Sequence, residues 1–72
     1  MDHSITDHVY DFICTYIEDN QIAPSYQEIA SGCYIGISSV EKHLMKLEAD
    51  NRIRRTPRVP RSIRLINPDE VT

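Results

Sequence analysis

An apolar stripe near the amino terminus, closed off by a proline, restricts the first third of this chain to a helix and a loop. Apolar side chains recur there every three or four residues, which places them on one face of a helix. They are Ile5, Val9, Phe12, Ile13, Tyr16 and Ile17. Ser4 or Thr6 can cap the start of this helix. Pro24 disfavours helical backbone at Ala23, so we predict that the helix fades near Asn20 and that a loop follows.

A capping box starts a second, shorter helix. The Ser25 hydroxyl and the Glu28 carboxylate stand three residues apart, so each can accept a hydrogen bond from an unpaired amide at the helix start. The apolar pattern continues only through Tyr26, Ile29 and Ala30. Gly32 and residues 33–36 interrupt this pattern, and we predict that they form a turn.

A third helix and a hairpin complete the pattern. Apolar residues at offsets of four and three predict a helix over residues 38–50, with Asn51 as a left-handed stop. These residues are Val40, Leu44 and Leu47. Residues 53–55 and 62–66 then read as two short strands. The hairpin tip, residues 56–61, contains two prolines and two arginines, so we expect a stiff loop that presents guanidinium groups outward.

The order of these elements is that of a winged helix-turn-helix. The expected fold is mainly α with a small β-hairpin wing, that is, three helices and a two-stranded antiparallel wing. A chain of 72 residues has room for one small core. We assign residues 1–66 to this single domain and residues 67–72 to a carboxy-terminal tail. In such folds the turn holds two helices at a steep angle, so that the second can enter the major groove of DNA.

Charge is distributed unevenly along the chain, although the net charge is −3 at pH 7. Residues 1–31 hold six acidic side chains and no Lys or Arg, whereas residues 32–66 hold eight Lys and Arg side chains and three acids. A domain with this polarity can present one cationic face to a polyanion. Charge alone would also suit a solvated basic tail.

We expect the exposed flank of the third helix to read bases. Serine hydroxyls donate and accept hydrogen bonds, lysine donates, and glutamate accepts from the amino group of cytosine. The candidate base contacts are Ser38, Ser39, Glu41 and Lys42. The serines would serve equally well as helix caps, and a glutamate on a helix surface is commonly solvated or paired.

Candidate phosphate contacts come from the wing, the third helix and the start of the second helix, where amide groups attract phosphate oxygens. They are Ser25, Tyr26, Lys46, Arg54, Arg55, Arg58 and Arg61. Neighbours on a strand point to opposite faces, so at most one of Arg54 and Arg55 is expected to face phosphate. Tyr26 would suit core packing equally well, and Arg64 is expected to brace the acidic first half.

The sequence indicates no metal site, cofactor or enzyme. Cys14 and Cys33 form no Cys-x-x-Cys pair, the histidines lack metal-ligand spacing, and no glycine-rich phosphate loop is present. Free thiols in a reducing cytoplasm are expected rather than a disulfide. No apolar run is long enough to cross a membrane. His43, beside the apolar stripe of the third helix, is expected to pack rather than to bind a metal.

The order and spacing of these residues resemble the amino-terminal domain of the LexA repressor family. The resemblance runs from about Ile5 to Ile66. The residues that carry it are Thr6, Val9, Phe12, Ile13, Pro24, Ser25, Glu28, Ile29, Ala30, Ser39, Val40, His43, Leu44, Leu47, Arg54, Arg55, Ile63 and Leu65. The resemblance implies a bacterial, phage or plasmid transcription regulator, most simply a repressor, whose third helix contacts an operator and whose wing touches the DNA backbone nearby.

Three departures from the family bear on this implication. The turn before Val40 is one residue shorter than in typical members, and Gly36 and Ile37 stand where the family tends to carry polar residues or proline. Lys42 replaces an acid of the enteric LexA proteins, so we expect an operator that differs from the SOS box. These residues include no counterpart of the family's second domain, which carries the self-cleaving serine and lysine and the main dimer interface, so self-cleavage is not expected of them.

The expected partner is double-stranded DNA. One module alone buries a small interface, so we expect a weak homodimer on DNA with half-sites about one helical turn apart. The alternative is a winged-helix module that binds another protein through its acidic first helix. Positive charge concentrated on the third helix and wing favours DNA, whereas dispersed charge would favour a protein partner.

Overall fold

A computed structural model describes residues 4–66 of the chain. Its elements are α1 (Ile5–Asn20), α2 (Tyr26–Cys33), α3 (Ile37–Ala49), β1 (Ile53–Arg54) and β2 (Arg64–Leu65). The fold is mainly helical, with three helices and one two-stranded antiparallel sheet, which confirms the expected winged helix-turn-helix. The assigned tail, residues 67–72, lies outside the described residues. Within the described part, no helix is long and apolar enough to span a membrane.

Polar groups cap both ends of α1. The Ser4 hydroxyl oxygen accepts a hydrogen bond from the Asp7 amide at 3.1 Å, which makes Ser4 the amino-terminal cap. Gln21 has left-handed backbone, with φ of 62°, and donates its amide to the Ile17 carbonyl. Val9 and Ile13 are fully buried and Phe12 and Ile17 pack against the core, so most of the predicted apolar stripe faces the core, whereas Ile5 is exposed.

α2 has the predicted capping box but is longer than predicted. The Ser25 hydroxyl accepts from the Glu28 amide at 3.1 Å, and the Glu28 carboxylate accepts from the Ser25 amide at 2.7 Å. Gly32 and Cys33 continue the helix, so the prediction that the turn begins at Gly32 was wrong. A β-carbon at Gly32 would lie 2.1 Å from the Phe12 ring. The glycine therefore permits close packing of α1 on α2 and does not open a turn.

The turn between α2 and α3 spans residues 34–36. Tyr34 takes the left-handed conformation that ends α2, with φ of 58°, and its side chain is 93% exposed. The Ile35 amide donates to the Ala30 carbonyl at 3.0 Å. Backbone hydrogen bonds thus satisfy carbonyl groups that the end of a helix leaves unpaired.

α3 begins one residue before its predicted start and ends one residue before its predicted end. Gly36 is its amino-terminal cap and makes no side-chain capping bond. Ser38 and Ser39 therefore lie inside the first turn and do not act as the cap. Asn51 has φ of 59°, which confirms the predicted left-handed stop.

The wing is a short antiparallel ladder in which Ile53 pairs with Leu65 and Arg54 pairs with Arg64. Each strand has only two residues, fewer than predicted. One further backbone bond, from the Ile66 amide to the Arg52 carbonyl at 3.1 Å, extends the pairing toward the core.

The tip of the wing is closed by side-chain bonds instead of a longer ladder. The Ser62 hydroxyl accepts from the Thr56 amide at 3.0 Å and donates to the Thr56 carbonyl at 2.9 Å. Pro57 and Pro60 have no amide to donate to a ladder. Arg58 and Arg61 have positive φ of 66° and 55°. These features end the strands earlier than the apolar pattern predicted.

All three helices and both arms of the wing contribute to one core. Its buried side chains are Val9, Ile13, Ala23, Ile29, Cys33, Val40, Leu44, Leu47, Ile53 and Ile63. Cys33, expected in the turn, is instead a core residue at the end of α2. Because Ile53 and Ile63 are buried, the wing is anchored to the helices at both of its arms.

Candidate nucleic-acid interface

One flank of α3 is exposed along its length, opposite the buried face. Ser38, Lys42 and Lys46 are exposed, and Ser39 and Glu41 are half-buried at its margin. The first turn of α3 contains no acidic residue and has no side-chain cap. The open amide groups of that turn and the helix dipole both favour a negatively charged ligand.

Glu41 is held by Arg55. The Arg55 Nη1 and Nη2 atoms donate to the two Glu41 carboxylate oxygens at 2.9 and 2.5 Å. Arg55 Nε also donates to the Glu48 carboxylate at 2.6 Å, and Nη1 donates to the Tyr26 hydroxyl. The hydrogen bonds from Arg55 lower the pKa of Glu41, and those same bonds raise the pKa of Arg55. Glu41 is thus an ionised and oriented acceptor at the margin of the flank.

The side chain of Arg55 lies inside the fold, so its guanidinium group is not accessible to a phosphate as the structure stands. Its side chain is 8% exposed, and carboxylates already occupy its guanidinium group. Arg54, its neighbour on the chain, is exposed. The two side chains therefore point in different directions, as expected of strand neighbours, and Arg54 is the one available to phosphate.

The start of α2 is occupied by its own side chains. The Ser25 hydroxyl is bound to the Glu28 amide, and the amide of Ser25 lowers the pKa of Glu28 to about 2, helped by Arg61. A phosphate here would meet an ionised carboxylate. Tyr26 packs against the core and accepts a hydrogen bond from Arg55. Both residues predicted as phosphate contacts at this helix start thus have internal partners, and the packing alternative for Tyr26 is the one observed.

Arg61 folds back from the wing onto the first half of the domain. Its guanidinium group lies 2.9 Å from the Glu28 carboxylate and donates to the Ala23 carbonyl at 3.0 Å. It also lies within 3.4 Å of the Tyr16 hydroxyl. The Arg61 side chain is 40% exposed. These contacts make Arg61 a brace between the wing and the loop before α2, in addition to its predicted role toward phosphate.

Arg52 is a second brace, and Arg64 is not the brace that was expected. Arg52 pairs with Asp7 at 2.9 Å and lies 4.0 Å from the centre of the Tyr10 ring. Arg64 is exposed on β2, directly across the ladder from Arg54. The two arginines line a surface cavity of about 360 Å³. The expectation that Arg64 braces the acidic half was wrong, because the buried Ile63 turns the next side chain outward.

The eight Lys and Arg side chains therefore fall into two groups. Three are tied to acids within the domain: Arg52, Arg55 and Arg61. Within residues 4–66, the other five form no ion pair, and all lie on α3 or the wing: Lys42, Lys46, Arg54, Arg58 and Arg64. The phosphate contacts predicted from the sequence did not include Arg64. The alternation of apolar Ile63 with Arg64 was a signal that could have identified it as exposed.

Comparison with known proteins identifies the family of the chain. The family model described as the LexA DNA binding domain matches residues 6–62, which include α2, α3, β1 and all of α1 except its first residue. The chain belongs to the LexA DNA-binding domain family. It is similar to the LexA repressor of Koribacter versatilis, with 36% identity over 63 residues. The match covers 83% of this chain but 29% of that relative, so the chain spans less than a third of its length.

His43 links α3 to α1 in this LexA-type domain. Its Nδ1 atom and the Thr6 hydroxyl are joined by a hydrogen bond of 2.7 Å. Burial, and then the nearby Lys46 and Lys42, lower the pKa of His43. The side chain is half-buried, which confirms the expectation that it packs.

The two thiols of the LexA-type domain are free and separate from the α3 flank. Cys14 is half-buried and Cys33 is buried. Burial raises the pKa of both thiols. Across residues 4–66, no three His, Cys, Asp or Glu side chains come together as a metal site would require.

Proposed function

We propose that this LexA-type domain binds double-stranded DNA sequence-specifically and regulates transcription, most simply as a repressor. The observation that carries the proposal is the division of the basic side chains. Those that lack an acidic partner in the described part all lie on α3 or the wing. A polyanion is the ligand that such a surface attracts. The family match and the repressor name of the similar protein point the same way.

In this proposal α3 enters the major groove with its amino-terminal end toward the bases. Ser38, Ser39, Glu41 and Lys42 read base edges, because their donors and acceptors lie on or beside the exposed flank. Base reading gives the domain its sequence preference and adds little affinity for other sequences.

The proposed backbone contacts are the outward cations beyond that reading end. They are Lys46, Arg54, Arg58 and Arg64. Ser25, Tyr26 and Arg55 leave this set because their polar groups are used within the fold. Arg61 contributes by holding the wing, with its half-exposed guanidinium group near the phosphates as a secondary contact.

A direct cross-strand pair of arginines favours DNA over a protein partner. Like charges placed directly opposite in a ladder destabilise it, and Arg54 and Arg64 stand opposite each other. A phosphate between them would relieve that repulsion. The exposed acids of α1 are the corresponding surface for the protein-binding alternative, and they carry no comparable geometric feature. We propose a regulatory role without catalysis, in the cytoplasm, with two copies bound weakly to adjacent half-sites.

Selection of bound duplexes from a random pool at two salt concentrations tests this function. We expect an enriched motif, with half-sites about one helical turn apart if two copies bind. Affinity for unrelated duplexes should fall steeply as salt rises. A pool without enrichment, together with salt-independent retention of DNA, would refute the proposal and favour the protein-binding module.

A further inference from the structure

Arg55 connects three elements although it lies just beyond β1. Its guanidinium group donates to Glu41 and Glu48 on α3 and to the Tyr26 hydroxyl on α2. Its carbon atom Cζ lies 5.7 Å from the centre of the Tyr26 ring. With a side chain that is 8% exposed, Arg55 does not reach a bound duplex unless these contacts break.

The bond to Glu41 differs from the others because it is bidentate. Two nitrogen atoms of the planar guanidinium group meet both carboxylate oxygens of Glu41. Such a pair fixes the plane of the carboxylate as well as its position. A carboxylate has about four acceptor sites, so two remain on its outer edges. The Glu41 side chain is 45% exposed, so those sites are accessible to a ligand.

Glu41 also poses a charge problem for DNA binding. An ionised carboxylate near phosphates is repelled, and a free glutamate side chain must lose rotational freedom before it can read a base. The positive charge of Arg55, which Glu48 also shares, offsets part of the first effect, and the bidentate contact reduces the second. Arg55 can do both without touching DNA.

We propose that Arg55 is a positioning residue that holds the Glu41 carboxylate in one orientation and compensates part of its charge, so that Glu41 accepts a hydrogen bond from one exocyclic amino group in the major groove. The base is cytosine or adenine, since both present such a donor there. This inference rests on the proposed DNA-binding function. It assigns to the wing a part in base reading, because Arg55 belongs to the segment that leaves β1.

Glu48 supplies the matched control. It bonds to the same guanidinium group at 2.6 Å but lies seven residues further along α3. Seven residues correspond to about 10 Å along a helix axis, so Glu48 lies away from the amino-terminal reading end. We expect a change at Glu48 to weaken the bonding of Arg55 and to leave its contact with Glu41 in place.

The test is duplex selection and sequencing with the wild-type domain and the variants Glu41→Gln, Glu48→Gln, Arg55→Met and Arg55→Lys, each checked for folding by circular dichroism. We expect Glu41→Gln to lower preference at one base position by about tenfold, which is within the usual value of a base contact. Arg55→Met should lower it at that same position. Glu48→Gln should keep the preference at that position. Arg55→Lys should keep part of the preference that Arg55→Met loses. The double variant Glu41→Gln with Arg55→Met should lose no more than either single variant.

The possible results distinguish a failure of the proposed Arg55 role from a failure of the proposed DNA-binding function. If wild type enriches a motif but Arg55→Met keeps full preference at the Glu41-dependent position, Arg55 does not position Glu41. An even loss of affinity for all sequences with Arg55→Met would also overturn the inference. If Arg55→Met does not fold, Arg55→Lys decides, since full preference without the bidentate geometry contradicts the proposal. A wild-type domain that enriches nothing would refute the DNA-binding function itself.

Discussion

Replacing Arg64 by glutamine should stabilise the domain and weaken its binding to DNA. Arg64 stands directly opposite Arg54 in the ladder, and both are exposed without an ion pair in the described residues. A like-charge pair in this position costs on the order of 0.5 kcal/mol. For a domain of this size, that amount corresponds to a rise in Tm of about 2 to 4 °C. Glutamine keeps most of the side-chain length and removes only the charge.

The binding effect follows from counterion release. Four proposed phosphate contacts give a salt slope near −3.6, from about 0.9 per contact. Between 50 and 200 mM salt, affinity for a mixed-sequence duplex should then fall about 150-fold in wild type and about 40-fold in the Arg64→Gln variant. Thermal unfolding and fluorescence anisotropy titrations measure the two effects separately.

Arg52→Gln is the control, because replacing this arginine by glutamine should lower Tm instead of raising it. It removes the contact with Asp7, an exposed pair worth about 0.2 to 1 kcal/mol, so Tm should fall and the salt slope should stay unchanged. The stabilisation by Arg64→Gln should vanish at 1 M salt, where screening acts over about 3 Å. An Arg64→Gln variant with unchanged Tm at low salt and an unchanged slope would show that the two arginines do not repel each other and that Arg64 does not contact phosphate.

Three further predictions concern single side chains. Arg58→Ala should flatten the salt slope by about one unit without changing the selected motif, and an unchanged slope would exclude Arg58 as a phosphate contact. Gly32→Ala should lower the unfolding free energy by about 1 kcal/mol in urea denaturation, since crowding of Phe12 outweighs the gain in helix propensity. The control is Gly36→Ser, which should be tolerated because the added β-carbon would have no close contact within 4 Å beyond its chain neighbours. The pKa of Glu28 is lowered to about 2 from an ordinary 4.5, so the contribution of its carboxylate to stability is complete above pH 4.5 and is lost as pH falls toward 2. The stability difference between wild type and Glu28→Gln should therefore shrink across that range. A constant difference would contradict the assignment.

The helices were predictable because their signals are local. The stripe of α1, the capping box at Ser25 and Glu28 and the left-handed stop at Asn51 each depend on residues within about one or two turns of a helix. Gly32 was misread because its role depends on Phe12, which is 20 positions away in the sequence and is brought into contact only by the packing of α1 on α2. A pattern along the chain cannot distinguish a glycine that opens a turn from one that admits a ring.

The same difference in range explains which site residues were predictable. The exposed flank of α3 follows from its periodicity. The pairing of the arginines does not, because Arg55 meets Glu41 across 14 positions and Arg61 meets Glu28 across 33. Sequence composition counted all eight basic residues together, although the fold uses three of them internally.

These internal pairs explain how a chain with net negative charge can present a cationic face. Along the wing, Arg54 and Arg64 each follow a buried isoleucine, so strand alternation turns them to solvent. The three anchoring arginines, Arg52, Arg55 and Arg61, reach acids on α1, α3 and α2 respectively.

Because the anchors attach the wing to three different helices, a rotation of the wing would break at least one ion pair, and this favours one position of its outward arginines relative to α3. The paired acids of the first half are neutralised where the wing meets them. The exposed acids that remain on α1 are screened over about 8 Å at physiological salt. The local charge of α3 and the wing, and not the net charge of the chain, therefore determines what this surface attracts.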